Sequence, residues 1–150
     1  MENKRPLSVT NGRVYIDGVM VADCCKYSAV FTPKVWEGKA LGDPGTNRRW
    51  IGYDITGTID SWKTNNLYKE KVLEYIKTGR TPEMKIYSVN DDTNSDFYDY
   101  LGEKDELTLA GCVLTGDIPL MDLDTDGDVA KISANFGAKK LVAQCNHAVS

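Results

Sequence analysis

Residues 122–128 read Asp122-Leu123-Asp124-Thr125-Asp126-Gly127-Asp128, which spaces four carboxylates two apart with a glycine in the sixth position. Alternating aspartates with a glycine at the turn form the first half of a calcium loop, where side-chain oxygens converge on the ion. The pattern then breaks. Position twelve is Ser133, where such a loop needs a bidentate glutamate, and the flanking residues read as strands instead of helices. An Asp-Gly β-turn between two strands accounts for the same residues without a metal. Calcium held by Asp122, Asp124, Asp126 and Asp128 stays open as the alternative.

A second run of carboxylates, Asp91, Asp92, Asp96, Asp99, Glu103, Asp105 and Glu106, is relieved only by Lys104. Folded into a cleft, two of them could act as general acid and base. The simpler reading is a solvated loop, or a surface that must repel DNA. Nucleophilic catalysis has little to build on. The one histidine, His147, is the fourth residue from the end of the sequence, and no nucleophile elbow or phosphate-cradling glycine loop occurs. Cys24, Cys25, Cys112 and Cys145 form no Cys-x-x-Cys pair, so reduced thiols in a cytosolic product are expected, with no metal or redox centre. The expectation is a non-enzyme with no cofactor.

Length and composition agree with this. A chain of 150 residues, 41% hydrophobic and 27% charged, has the balance of one soluble domain. A net charge of −4 does not favour a nucleic-acid ligand. No apolar run reaches the ~20 residues a bilayer requires. Residues 1–12 lack the apolar core of a secretory signal, so no membrane partner and synthesis in the cytoplasm are expected.

Residues 13–22 predict a hairpin, with Asp17-Gly18 supplying the positive-φ pair of a type I′ turn. A strand is predicted at 26–31, ended by Pro33. A long loop at about 32–50 follows, holding Trp36, Arg48, Arg49 and Trp50. The strand at 50–62 alternates Ile51, Tyr53, Ile55 and Ile59 against Asp54, Thr56, Thr58 and Asp60. One helix is predicted at about 66–78, capped by Asn65 or Asn66 and ended at Gly79, with Tyr68, Val72, Tyr75 and Ile76 as the stripe that covers a sheet. Strands follow at 83–91, at 106–115 with Gly111 as a bulge or close approach, and at 128–144 broken at Gly137; the tail reads as loose. The sum is α+β, mainly β: two antiparallel sheets packed as a sandwich or barrel, with one flanking helix.

Several of these pieces, taken together, resemble the tail tube proteins of contractile-tailed phages, in particular the kind in the defective phage-like element PBSX and in tailocins. The resemblance rests on the hairpin at Asp17-Gly18, on Thr56-Gly57-Thr58, and on a helix ending Lys77-Thr78-Gly79. It also rests on the Asp91-Asp92 turn and on residues 120–127 before the last strands. It covers most of residues 12–143. It implies hexameric rings stacked into a hollow tube within a sheath, in a virion or phage-tail-like particle. Its implied partners are further copies of the chain, sheath, baseplate and tail terminator proteins, and DNA that passes without binding specifically. The residues alone leave Trp36 and Trp50 either folded onto their own core or exposed as interface anchors beside Arg48 and Arg49. The resemblance favours the interface. A stand-alone β-sandwich binding module, calcium-dependent through 122–128, is the alternative function.

Overall fold

Asp17 and Gly18 take φ values of 52° and 83°, the two left-handed positions a type I′ turn needs. They join β1 (Gly12–Ile16) to the two-residue β2 (Val19–Met20), with Ile16 opposite Val19 and Tyr15 opposite Met20, as the sequence predicts. The Asp17 carboxylate also accepts the Lys85 N–H at 2.9 Å and pairs with Lys71 at 3.4 Å, which fixes the turn against two later elements. This computed structural model describes residues 3–21, 24–62, 66–121, 123, 130–144 and 147–148.

The expected strand at 26–31 and loop at 32–50 are corrected by the structure. β3 (Cys24–Gly38) and β4 (Asn47–Trp62) form one long antiparallel hairpin, paired from Cys24↔Ser61 to Gly38↔Asn47. The true loop is 39–46. Pro33 sits inside β3, opposite Tyr53, and does not end the strand. β3 is the edge of its sheet, where a missing backbone donor can face away from the ladder without loss.

β5 (Met84–Asn90) follows helix α1 (Leu67–Thr78). A second helix, α2 (Asp96–Leu101), then leads to β6 (Asp105–Thr115), β7 (Lys131–Ala138), β8 (Lys140–Gln144) and β9 (His147–Ala148). The expected loose tail is corrected in part, because His147 pairs with Gln144. β6 belongs to two sheets. Its first half pairs with β5 and β8, and its last three residues pair with β7. The change occurs at Gly111, with φ 66°, where a Cβ would come 2.8 Å from Lys139 Cβ. The predicted close approach is therefore real, while the break between the last strands falls at Lys139 and not at Gly137. The extra residue at Gly111 also switches side-chain parity. Cys112 and Leu114 thus join Leu107 and Leu109 in the core, in place of the expected Val113.

The result is two antiparallel sheets sharing β6, open and not closed into a barrel, with strand order β2-β1-β5-β6-β7-β4-β3 and β8-β9 branching from β6. One core fills the space between them. Val14, Ile16, Ile86 and Leu109 come from one sheet and Ile55, Ile59, Ala134 and Phe136 from the other. α1 has the predicted bounds and the left-handed Gly79 cap (φ 72°), but only its first turns pack. Tyr68 is buried, whereas Tyr75 and Ile76 of the predicted stripe are exposed.

Burial also sets a pH dependence. It pushes the Cys112 thiol from 9.0 up to about 11 and shifts Cys24 in the same direction. The unfolded chain sheds these protons first, so their contribution is full below about pH 9 and is lost as pH rises toward 11. The urea midpoint is expected to fall across that window. Cys112→Ala, although less stable at pH 7, is expected to fall less steeply.

Candidate subunit interface

β4 pairs with β7 only from Ile55↔Ala138 to Trp62↔Lys131. Among the described residues, 47–54 therefore pair with no strand but β3, and together with 32–38 they form a two-stranded arm beyond the sheet. Antiparallel register assigns the faces. Tyr27↔Ile59 and Phe31↔Ile55 lie on the core side, so Pro33↔Tyr53 does as well. The partner of Lys34 is Gly52 and that of Val35 is Trp50, which makes Ile51 the extra residue of a β-bulge. Beyond the bulge, Val35↔Trp50 and Glu37↔Arg48 continue the core-side face. That face thus runs out of the sandwich as Phe31, Val35, Tyr53 and Trp50, all exposed. Phe31 contacts both Trp50 and Tyr53, with ring centroids 5.5 and 5.4 Å apart. Among the described residues, the arm is a piece of core surface left exposed.

The four residues singled out from the sequence all lie on this arm, but not on one surface. Trp50 and Arg48 share the core-side face, while Trp36 and its cross-strand partner Arg49 lie on the other. Trp36 is 51% exposed and Trp50 66%, so neither indole folds back into its own core. Arg48 pairs with Glu37 across the hairpin at 3.1 Å. Phe31 and Val35 lie beyond sequence-based recognition as arm residues because Pro33 predicts the end of its strand, and Tyr53, predicted on the apolar face of the 50–62 strand, stands exposed. The signal was present in the period-2 series Tyr27, Ala29, Phe31, Pro33, Val35, which passes through the proline unbroken.

The acidic run is not simply a solvated loop. It contains α2, capped by the Ser95 hydroxyl, which accepts the Tyr98 N–H at 3.2 Å. Its carboxylates hold the N-terminal segment. Arg5 pairs with Asp96 at 3.1 Å and Asp99 at 2.6 Å, Arg13 pairs with Asp91, and buried Asp92 accepts the Ser8 N–H at 3.0 Å. Neighbouring Asp99 and Asp96 raise the Arg5 guanidinium above its ordinary value. Asp92→Ala would strand the Ser8 and Asn94 N–H groups that its two oxygens accept, at about 1–3 kcal/mol. It is expected to make the bonds near Arg5 the first protease cuts, read by limited proteolysis with mass spectrometry.

Two other surfaces stay uncovered. Leu73, Tyr75 and Ile76 stand exposed on α1. Beside them a groove of about 370 Å³ is lined by Val72, Tyr75, Pro82, Met84, Val113 and Leu114. Among the described residues no cluster of histidine, cysteine or carboxylate side chains is arranged to hold a metal. Asp122, Asp124, Asp126 and Asp128 lie outside the described residues. No helix among the described residues is long and apolar enough to cross a membrane.

The fold is shared with chains of solved contractile injection systems. The sheath/tube terminator of an extracellular contractile injection system, PVC, superposes with TM-score 0.68 at 11% identity, over 94% of this chain and 98% of that one. The tube-terminating cap of the anti-feeding prophage gives 0.69 at 12% identity, over 94% and 92%. The PVC sheath-tube complex gives 0.65 at 12% identity, over 96% and 93%. At such identities the likeness is one of fold. Sequence supplies the family: residues 1–139 match the model described as phage tail tube protein, and the chain belongs to that family. No curated protein sequence matches the chain.

Proposed function

We propose that the chain is the repeating subunit of an inner tail tube, forming hexameric rings that stack within the sheath of a contractile phage tail or phage-tail-like particle. The role is structural. The observation that carries it is the arm's bare core-side face of Phe31, Val35, Trp50 and Tyr53. A monomer gains nothing from ordering a two-stranded ribbon whose apolar face meets water, whereas a neighbouring subunit would bury it. The outer edge of β3, 15 residues long, has no strand beside it among the described residues and offers a second copy a ladder to join. A head-to-tail contact between two different edges closes into a ring when its rotation allows. Sheath, baseplate and tail terminator proteins are the partners of such a tube, and DNA is its passing cargo in an infectious particle.

Light scattering of the concentrated protein tests the reading. Masses at multiples of six subunits of 16.7 kDa are expected, growing with concentration. A fixed mass of any other multiple would overturn the hexameric ring.

A further inference from the structure

A concavity of about 580 Å³ opens on the outer face of the sheet formed by β1, β5 and the first half of β6, away from the arm. Val14, Ile16, Ile86 and Leu109 point into the core, so alternation turns Arg13, Tyr15, Lys85, Tyr87 and Val89 outward into this concavity. Register lays them in rows. Tyr15 stands opposite Tyr87, which stands opposite Thr108, and Arg13 stands opposite Val89. The two phenol rings lie with centroids 5.7 Å apart. The solvent face of an antiparallel sheet is ordinarily polar. Here Val89 is only 5% exposed although it faces away from the core, so the middle of the face is an apolar and aromatic floor.

The rim of that floor is cationic. Among the described residues, Arg13, Lys85 and Lys104 line the concavity and no carboxylate does, in a chain whose net charge is −4. Arg13 is held by Asp91, and Lys104 by Glu106 at 3.8 Å. Glu106 also accepts the Tyr87 hydroxyl at 3.0 Å, which fixes that ring. Lys85 donates its backbone N–H to Asp17 at 2.9 Å, while its ammonium has no carboxylate partner among the described residues. Lys85 stands four residues before Val89, the residue opposite Arg13, so the two cationic ends are about 13 Å apart at ordinary strand rise. An extended peptide covers that span in four residues and turns its first and fifth side chains to the same side.

We propose that this trough binds an extended acidic segment of a second protein. One carboxylate meets Lys85, another four residues on meets Arg13 and Lys104, and an apolar side chain between them rests on Tyr15 and Tyr87. The chain's own neighbouring carboxylates are already engaged: Asp91 and Glu106 by the rim, Asp96 and Asp99 by Arg5, and Asp92 by the Ser8 N–H. The acid therefore comes from outside. Aromatic and arginine side chains concentrate binding energy at such a surface, and complementary charge selects the partner. The trough and the arm lie on different sheets, so this site stands or falls apart from the tube reading.

The probe is a dye-labelled peptide with the core Glu-Thr-Val-Thr-Glu, titrated with the full chain below its assembly concentration and read by fluorescence anisotropy. Saturable binding is expected, weaker by about tenfold or more when both glutamates of the peptide are replaced by glutamine. Lys85→Glu is expected to weaken it about tenfold. Lys77→Glu, the same charge change at the exposed end of α1, should leave it unaltered. Circular-dichroism melting checks that both variants are folded. Absence of saturation, equal affinity for the two peptides, or equal loss in the two variants would overturn the proposal. Displacement of the peptide by inorganic phosphate, but not by chloride at equal ionic strength, would reveal a small-anion site and overturn it as well. A Lys85→Glu chain that binds the peptide unchanged and no longer assembles would assign the trough to a second copy instead.

Discussion

Trp50→Ala is expected to give a folded monomer that no longer assembles. The indole stands on the core-side face of the arm, 66% exposed, and touches its own chain through the Phe31 ring. Its loss should cost the fold no more than about 1 kcal/mol, the worth of one aromatic pair. Buried by a neighbour, a central tryptophan contributes about 2 kcal/mol or more to each contact, which is about thirtyfold in association. Every subunit repeats that loss, so polymerisation should fail outright. Sedimentation velocity reads the assembly and circular-dichroism melting reads the fold. Arg48→Glu is expected to be milder than its place in the sequence suggests, because Arg48 already pairs with Glu37 in its own hairpin.

The second large effect is expected at Gly57, inside the Thr56-Gly57-Thr58 segment. Gly57 pairs with Ala29 on one side and Phe136 on the other. A Cβ there would run into the Ser28 carbonyl and the Phe136 ring, whose Cε1 would lie 2.8 Å away. Phe136 is among the most buried side chains, its ring lying over the glycine and stacked near Tyr27 at 6.3 Å. The obstructing oxygen is backbone of a paired strand and cannot swing aside, so Gly57→Ala is expected to cost about 3 kcal/mol or more. Loss of soluble protein, or a much lower melting temperature, is the readout. Gly45→Ala in the tip loop is the control. Its Cβ would approach nothing nearer than Asp43 Oδ1 at 3.4 Å, and it should melt like the unaltered chain.

What could be read from the sequence follows from how local each determinant is. The Asp17-Gly18 turn, the bounds of α1 and the close approach at Gly111 are set by residues whose backbone chemistry permits little else. The arm was hidden because Pro33 and the glycines at 38, 42 and 45 look like loop punctuation. Whether a proline interrupts a strand depends on whether the strand is an edge, which is a property of the sheet. Alternation also failed to mark the arm, since neither of its faces is buried within the chain and aromatic and basic side chains occupy both. Alternation predicts Ile51 on the core face, and it fails there because a bulge adds a residue that no pattern announces. The acidic run hid a helix for another reason: its partners Arg5 and Ser8 lie some ninety positions earlier, and sequence distance gives no hint of that pairing. The stripe of α1 predicts a face covered by the sheet, yet Leu73, Tyr75 and Ile76 in its later turns are exposed.

The central claim is that the bare face of the arm exists to be covered by other copies. Electron micrographs of the concentrated protein, taken beside those of Trp50→Ala, test it most directly. The expected result is six-fold rings and tubes of uniform bore from the unaltered chain and dispersed single subunits from the variant. Uniform monomers from both, or tubes equally abundant in both, would contradict the claim.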